Sequence, residues 1–393
     1  MKKNIIRLFL AHALISGVAI SFFFTTYTLF LKEKGVTLME MNLINAAFMA
    51  AVFLLEVPTG AFADFYGRVR STVIGSLLLM LSFAAYFFSD HFWQFISAEL
   101  IGALGHSLIS GATRSWFVDW LNHLDIGAKS KKIFEHQTSL SQLGIVIGAW
   151  VGSQLGSYDL SWPWLASGFS FLLVAIFVSF WPENHGQKKN EKICLAPIIR
   201  IAKEGLRFSL KRKDILYISL FSALLAFSIQ GVNMYWSIFF TEKGLTISRL
   251  GPMFMGVSLA MIVGANLGKL IPKKYEAKRF FLILPQLITG IAIIGLSFSL
   301  KNPFLISLFL IHEAGRGFFK PLKDYQINLA APEKIRATVN SFSSMLEKLG
   351  AFLGLLFSGW LAQTLSIGTS WLASGVILSV GTLLFFLFRK KRH

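Results

Sequence analysis

The chain has almost no cysteine and little charge. A single Cys among 393 residues, Cys194, rules out an intramolecular disulfide. Charged residues make up 15% of the sequence, against about 25% in an average soluble protein. Acidic residues are the scarcer kind: 20 Asp and Glu stand against 38 Lys and Arg, a net charge of +18. No polar stretch is long enough to fold as a reading domain, so this positive balance does not indicate nucleic acid. A phosphate-binding G-x-x-x-x-G-K-[ST] string is missing too. The nearest match, Gly264 to Lys269, has the wrong spacing and runs on into Leu270. His and Cys are not grouped as metal ligands. No cofactor is therefore expected and, with no long soluble segment to host one, no enzyme.

What the chain has instead is apolar length. Hydrophobic residues are 54% of the sequence, and Phe alone contributes 39. About 20 apolar residues are needed to cross the hydrocarbon core as a helix. Twelve runs qualify: 5–31, 40–63, 71–89, 93–119, 133–156, 161–181, 214–240, 248–270, 279–299, 304–328, 337–364 and 369–388. The first follows Lys2 and Lys3 like a signal peptide, but it exceeds the roughly 7–15 residues of a signal core and reads as span 1. Only helices and closed barrels satisfy their own backbone in lipid, so runs of this length predict an all-α membrane protein of twelve transmembrane helices.

Basic residues fix the orientation. Lys2, Lys3 and Arg7, Arg68 and Arg70, Lys129, Lys131 and Lys132, the group from Lys188 to Lys213, the group from Lys269 to Arg279, Lys334, Arg336 and Arg389 to Arg392 all fall on one side. Only Lys32, Lys34, Lys243, Arg249 and Lys301 fall on the other. Basic loops stay cytoplasmic, which predicts a multi-pass protein of the inner (cytoplasmic) membrane with both termini inside. The longest polar segment, 182–213, separates a six-helix bundle at 1–181 from another at 214–393. Its stretch from Ile198 to Phe208 mixes apolar and basic positions, as either an interfacial helix or a solvated linker would.

The two halves echo each other. Leu31-Lys32-Glu33-Lys34-Gly35-Val36-Thr37 after span 1 matches Phe240-Thr241-Glu242-Lys243-Gly244-Leu245-Thr246 after span 7. Leu143-Gly144 with Gly148 in span 5 matches Leu349-Gly350 with Gly354 in span 11. A near-constant offset between equivalent spans indicates a duplicated six-helix unit. Gly144, Gly148, Gly152 and Gly156 recur every fourth residue, a smooth groove for close helix packing.

Between spans 2 and 3 the chain reads Glu56-Val57-Pro58-Thr59-Gly60-Ala61-Phe62-Ala63-Asp64-Phe65-Tyr66-Gly67-Arg68-Val69-Arg70. Gly60 is suited to a close helix approach, Gly67 to a tight reversal, and Arg68 lies four residues from Asp64, within reach. This stretch resembles the G-x-x-x-D-[RK]-x-G-[RK]-[RK] signature of the major facilitator superfamily, with Phe65 in a basic position and Val69 displacing Arg70 by one. Span count and topology extend the resemblance over the whole chain. It implies two pseudo-symmetric six-helix bundles and secondary transport. It also implies a conformational latch of Gly60, Asp64, Gly67, Arg68 and Asp119, the last at the cytoplasmic end of span 4. In the second half Pro272 stands where the Asp would be, so the latch is not duplicated. The Gly-Pro step of the family's antiporter signature is absent from span 5.

Ionisable residues in mid-span cost roughly 3 kcal/mol each and need partners or water. They fall on Glu56; Glu99, His106 and Arg114; His312, Glu313, Arg316 and Lys320; Glu347 and Lys348. These are spans that the resemblance places around the central cavity; spans 3, 6, 9 and 12 carry none in mid-span. Glu313, Arg316 and Lys320 share one helix face. A Glu313–Arg316–Glu347 group is expected either as a structural ion-pair network or as a substrate and proton site. Arg114 either neutralises Glu56 or, with Arg316, holds an anionic substrate. Glu313 and Glu347 lead as proton carriers; His106 is either a weaker candidate or a hydrogen-bonded structural residue. Gln230 and Asn233 of span 7 offer neutral contacts. The expectation is a monomeric secondary transporter of a small organic solute, taken as anionic, working by alternating access with protons and bilayer as partners. The alternatives are an exporter of amphipathic drugs, or a non-transporting receptor or embedded enzyme.

Overall fold

A computed structural model describes residues 2–125, 130–183, 206–271, 280–298, 301–332 and 335–387. The interfacial-helix expectation for 198–208 lies outside these except for its last three residues, which begin a helical stretch at Leu206. Pro272 and Cys194 lie outside them entirely. No strand occurs among the described residues. The helices are α1 (Lys2–Ser21), α2 (Tyr27–Glu33), α3 (Leu38–Tyr66), α4 (Arg68–Phe88), α5 (Phe92–His123), α6 (Ser130–Tyr158) and α7 (Trp162–Ser179). They continue as α8 (Lys213–Ser228), α9 (Gln230–Glu242), α10 (Ile247–Lys269), α11 (Phe280–Leu296), α12 (Asn302–Ala330), α13 (Arg336–Thr364) and α14 (Ile367–Leu387).

These helices make the twelve expected spans, with a correction to spans 1 and 7: neither is one continuous helix. Span 1 breaks between α1 and α2 over a turn at residues 22–26, and span 7 is interrupted at Ile229 between α8 and α9. At the first break Phe22, Phe23 and Phe24 precede Thr25 and Thr26, residue types that lose side-chain freedom in a helix. The turn closes with shorter bonds, Phe24 N to Ser21 O at 3.1 Å and Thr26 N to Phe23 O at 3.0 Å. At the second, the Gln230 side chain donates to Ala226 O at 2.8 Å. Interrupted helices survive at membrane depth only where neighbours satisfy their backbone, which these bonds do.

The internal repeat is visible in the geometry. Gly35 and Gly244 both take a positive φ, +75° and +88°, at a helix end. The following amides close identical turns, Val36 N to Leu31 O and Leu245 N to Phe240 O, each at 3.0 Å. The glycine grooves repeat as well. Gly144 and Gly148 of α6 abut Leu14 O and Val18 O of α1, while Gly350 and Gly354 of α13 abut Ala223 O and Phe227 O of α8. A Cβ at any of these four positions would collide with the facing carbonyl.

Two compact units result, Met1–Glu191 with Phe240–Met255, and Lys192–Phe239 with Gly256–His393. The α9–α10 corner belongs to the first because Gln154 of α6 donates to Ser248 O at 2.9 Å and Lys32 pairs with Glu242 at 2.6 Å. The first unit's core is aromatic: Trp164 of α7, 1% exposed, stacks on Tyr86 at 4.0 Å and on Phe23 at 4.5 Å. In the second, Trp371 of α14 lies against Phe239 at 4.4 Å. Large apolar side chains such as Leu54, Phe88, Leu259, Ile291 and Phe386 remain exposed, as a lipid-facing surface requires. By length and composition, nine stretches of the described residues suffice to cross a membrane. Of the remaining spans, α11 is apolar but only 17 residues long, and α6 and α12 carry more charge.

Candidate functional site

Within the spans of the second unit, a row of charge runs along α12. Glu313, Arg316, Lys320 and Lys323 recur at intervals of three, four and three, so they share a face. One Arg316 nitrogen (Nη1) donates to both Glu313 oxygens, at 2.8 and 2.9 Å, and to Asn233 Oδ1 of α9 at 3.0 Å. Glu313 is 4% exposed, so its charge depends on that guanidinium. His312 is fully buried beside it, with Nδ1 3.2 Å from Phe309 O.

Glu347 does not join this group. It accepts from Lys323 at 2.7 Å, and Lys323 lies 3.0 Å from Asp324. The expected Glu313–Arg316–Glu347 group is thus two separate pairs. The reason is depth: ten residues separate Glu313 from Lys323, roughly 15 Å of helix rise, and Glu347 enters α13 level with the latter. Lys323 was missed, although its spacing of three from Lys320 marked it. Lys320 itself is exposed and in no ion pair among the described residues. Gln230 is occupied at the span 7 break and Asn233 by Arg316.

In the first unit Arg114 of α5 is exposed and lies over the Phe134 ring of α6 at 5.1 Å. No carboxylate among the described residues comes within ion-pair distance of it. Glu56 of α3 is also exposed and does not pair with Arg114. His106 faces the Phe48 ring edge-on, with centroids 5.8 Å apart. Glu99, named by the sequence but given no role, accepts from two phenols, Tyr86 at 2.7 Å and Tyr27 at 3.3 Å.

The loop between spans 2 and 3 draws its charges together. Gly67 (φ +103°) is the single residue between α3 and α4, a conformation that disfavours any side chain. The reversal brings Arg68 to 2.6 Å from Asp119 and 3.4 Å from Asp64. Sequence reasoning missed Glu183, whose carboxylate lies where a Gly67 side chain would project. Gly60 needs correction: among the described residues no neighbouring atom stands within 4 Å of the place its Cβ would occupy. Leu54, Glu56, Pro58 and Ala61 around it are exposed. Beyond the spans, Lys34 and Asp90 pair at 2.6 Å; that hydrogen bond first, and the lysine charge second, hold the Asp90 carboxyl below its usual range.

A family model described as Major Facilitator Superfamily matches residues 9–284 and 216–393. The chain is 23% identical to the uncharacterized MFS-type transporter YxaM of Bacillus subtilis (strain 168), over 98% of this chain and 96% of that protein. It is likewise 23% identical to the multidrug efflux pump Tap of Mycolicibacterium fortuitum, over 99% of this chain and 97% of that protein. Among solved structures, it superposes on the nucleoside transporter NupG with a TM-score of 0.78 at 14% identity, covering 98% of this chain and 100% of that one. On the D-xylose–proton symporter the TM-score is 0.71 at 15% identity, with 98% of each chain covered.

Proposed function

The chain belongs to the Major Facilitator Superfamily and is a multi-pass membrane transporter rather than an enzyme; from that premise we propose that it carries a small organic anion across the cytoplasmic membrane by alternating access, coupled to protons. The observation that carries the anion is Arg114, an exposed cation within a span, with an aromatic ring behind it and no carboxylate beside it. A guanidinium left unpaired at that depth is costly unless water or a ligand reaches it, and its planar fork matches a carboxylate or phosphate. Arg316 is a weaker anchor because Glu313 already neutralises it.

The termini face the cytoplasm in this reading, following the basic loops. The Arg68–Asp64–Asp119 cluster acts as the latch of one transport state, and the protein works as a monomer. The names of relatives such as Tap favour a second reading, export of amphipathic drugs. A ligand screen on purified protein separates the two. Organic anions should raise the unfolding temperature of wild type but not of Arg114→Ala. Stabilisation by cationic amphiphiles alone would favour the drug exporter.

A further inference from the structure

We infer that Glu99 is the group that binds the transported proton, an inference that rests on the proton-coupled reading above. Both carboxylates that led on sequence grounds have a fixed cation, Glu313 with Arg316 and Glu347 with Lys323. Each of those two charges is already matched by a cation in the structure. Glu99 differs. It is half-buried at the eighth position of α5, roughly 10 Å along the helix from its start at Phe92. No Lys, Arg or His among the described residues lies within ion-pair distance of it.

Two phenols hold it instead. Tyr86 of α4 and Tyr27 of α2 both donate to Oε1. Phenols hydrogen-bond the carboxylate but bring no charge to match its own. Oε2 has no donor among the described residues and can take a proton from water; one O–H bond forms, and the tyrosines keep their own protons. On α3, which packs beside α5, Glu40 is bound to Thr37 and Asp64 stands at the far helix end near Arg68. Glu56, also on α3, is sixteen residues from Glu40 and has no hydrogen bond to Glu99. His12 of α1 is engaged with Ser16, and the neighbouring side chain from α7 is the uncharged Trp164. Lys34, at the end of α2, is taken by Asp90.

The placement also gives the proton something to move. Tyr27 is the first residue after the break in span 1, and Tyr86 is stacked on Trp164, itself stacked on Phe23 within that break. Protonating Glu99 weakens the acceptor that ties α2 to α4 and α5, at the one point of span 1 where the helix is already interrupted. The step therefore couples charge on α5 to the hinge of span 1.

Infrared pH titration of the purified full-length protein, with no substrate added, tests this. The exposed carboxylates protonate in acid in every variant, so the reading is the wild-type-minus-variant difference. The difference against Glu99→Gln should hold one protonated-carboxyl component that grows as pH falls, Glu313→Gln should keep that component, and Tyr86→Phe should move its midpoint. If Glu99→Gln is not monodisperse, Glu99→Asp serves, and should shift the frequency of that component. A difference spectrum with no such component overturns the inference. Because no flux is measured, a component lost in Glu99→Gln upholds proton binding at Glu99, and proteoliposomes that then show no proton-driven transport would count against the coupled reading rather than against that binding.

Discussion

Arg316 and Glu313 lie one helical turn apart on α12, and a single guanidinium nitrogen serves both oxygens of the carboxylate. The bond neutralises the most buried carboxylate among the described residues of the second unit, with Asn233 of α9 steadying the arginine.

Breaking that pair leaves a buried charge alone. Glu313→Ala or Arg316→Ala should each destabilise the protein by about 3–5 kcal/mol. The double variant should lose less than the sum, because neither charge is then stranded. Thermal unfolding in detergent across the four-member cycle measures this; strict additivity would contradict the pairing.

The latch carboxylates are more exposed than Glu313, and the energies are correspondingly smaller. Asp119 is 37% exposed in its side chain, so the Arg68–Asp119 coupling energy should be about 0.2–1 kcal/mol. Arg68→Ala and Asp119→Asn should change transport rate in the same direction, with the double variant no worse than either. Independent effects on rate would separate the two residues.

Glycines in the two chain regions should behave oppositely. Gly144→Leu and Gly350→Leu place atoms on a facing backbone carbonyl and should abolish the monodisperse folded protein. Gly60→Ala meets open space and should be neutral or add up to about 1 kcal/mol through helix propensity. Size-exclusion profiles and unfolding temperatures compare them; a damaging Gly60→Ala would contradict its open surroundings.

The Asp90–Lys34 pair gives a pH dependence with a definite sign. The folded pKa of Asp90 is depressed, so its stabilisation is present above the ordinary carboxylate range and is lost as pH falls through the folded value. Asp90→Asn should therefore unfold at a lower temperature than wild type at neutral pH, with the gap closing in acid. A gap that widens in acid would contradict the pairing.

The spans, their helical character and the duplication were all legible in the sequence, because each is written in composition or in local spacing. Gly35 and Gly244 end matching helices, and the Gly144 and Gly350 grooves meet matching carbonyls. Depth between neighbouring helices was not legible. Helical spacing puts Glu313, Arg316, Lys320 and Lys323 on one face but does not say which of them faces Glu347. The breaks in spans 1 and 7 were hidden for a related reason: an apolar run looks the same whether or not its helix is interrupted. Gly60 matched a signature, but among the described residues nothing packs against it, and Glu99 had no charged neighbour in sequence to draw attention to it.

The most direct test of the transporter account is flux in proteoliposomes holding the purified protein, with an imposed pH gradient and a panel of labelled organic anions. At least one anion should move with the gradient, stop when a protonophore collapses it, and fall at least tenfold in Arg114→Ala. If no anion responds to the gradient, or Arg114→Ala carries the anion at the wild-type rate, the account is contradicted.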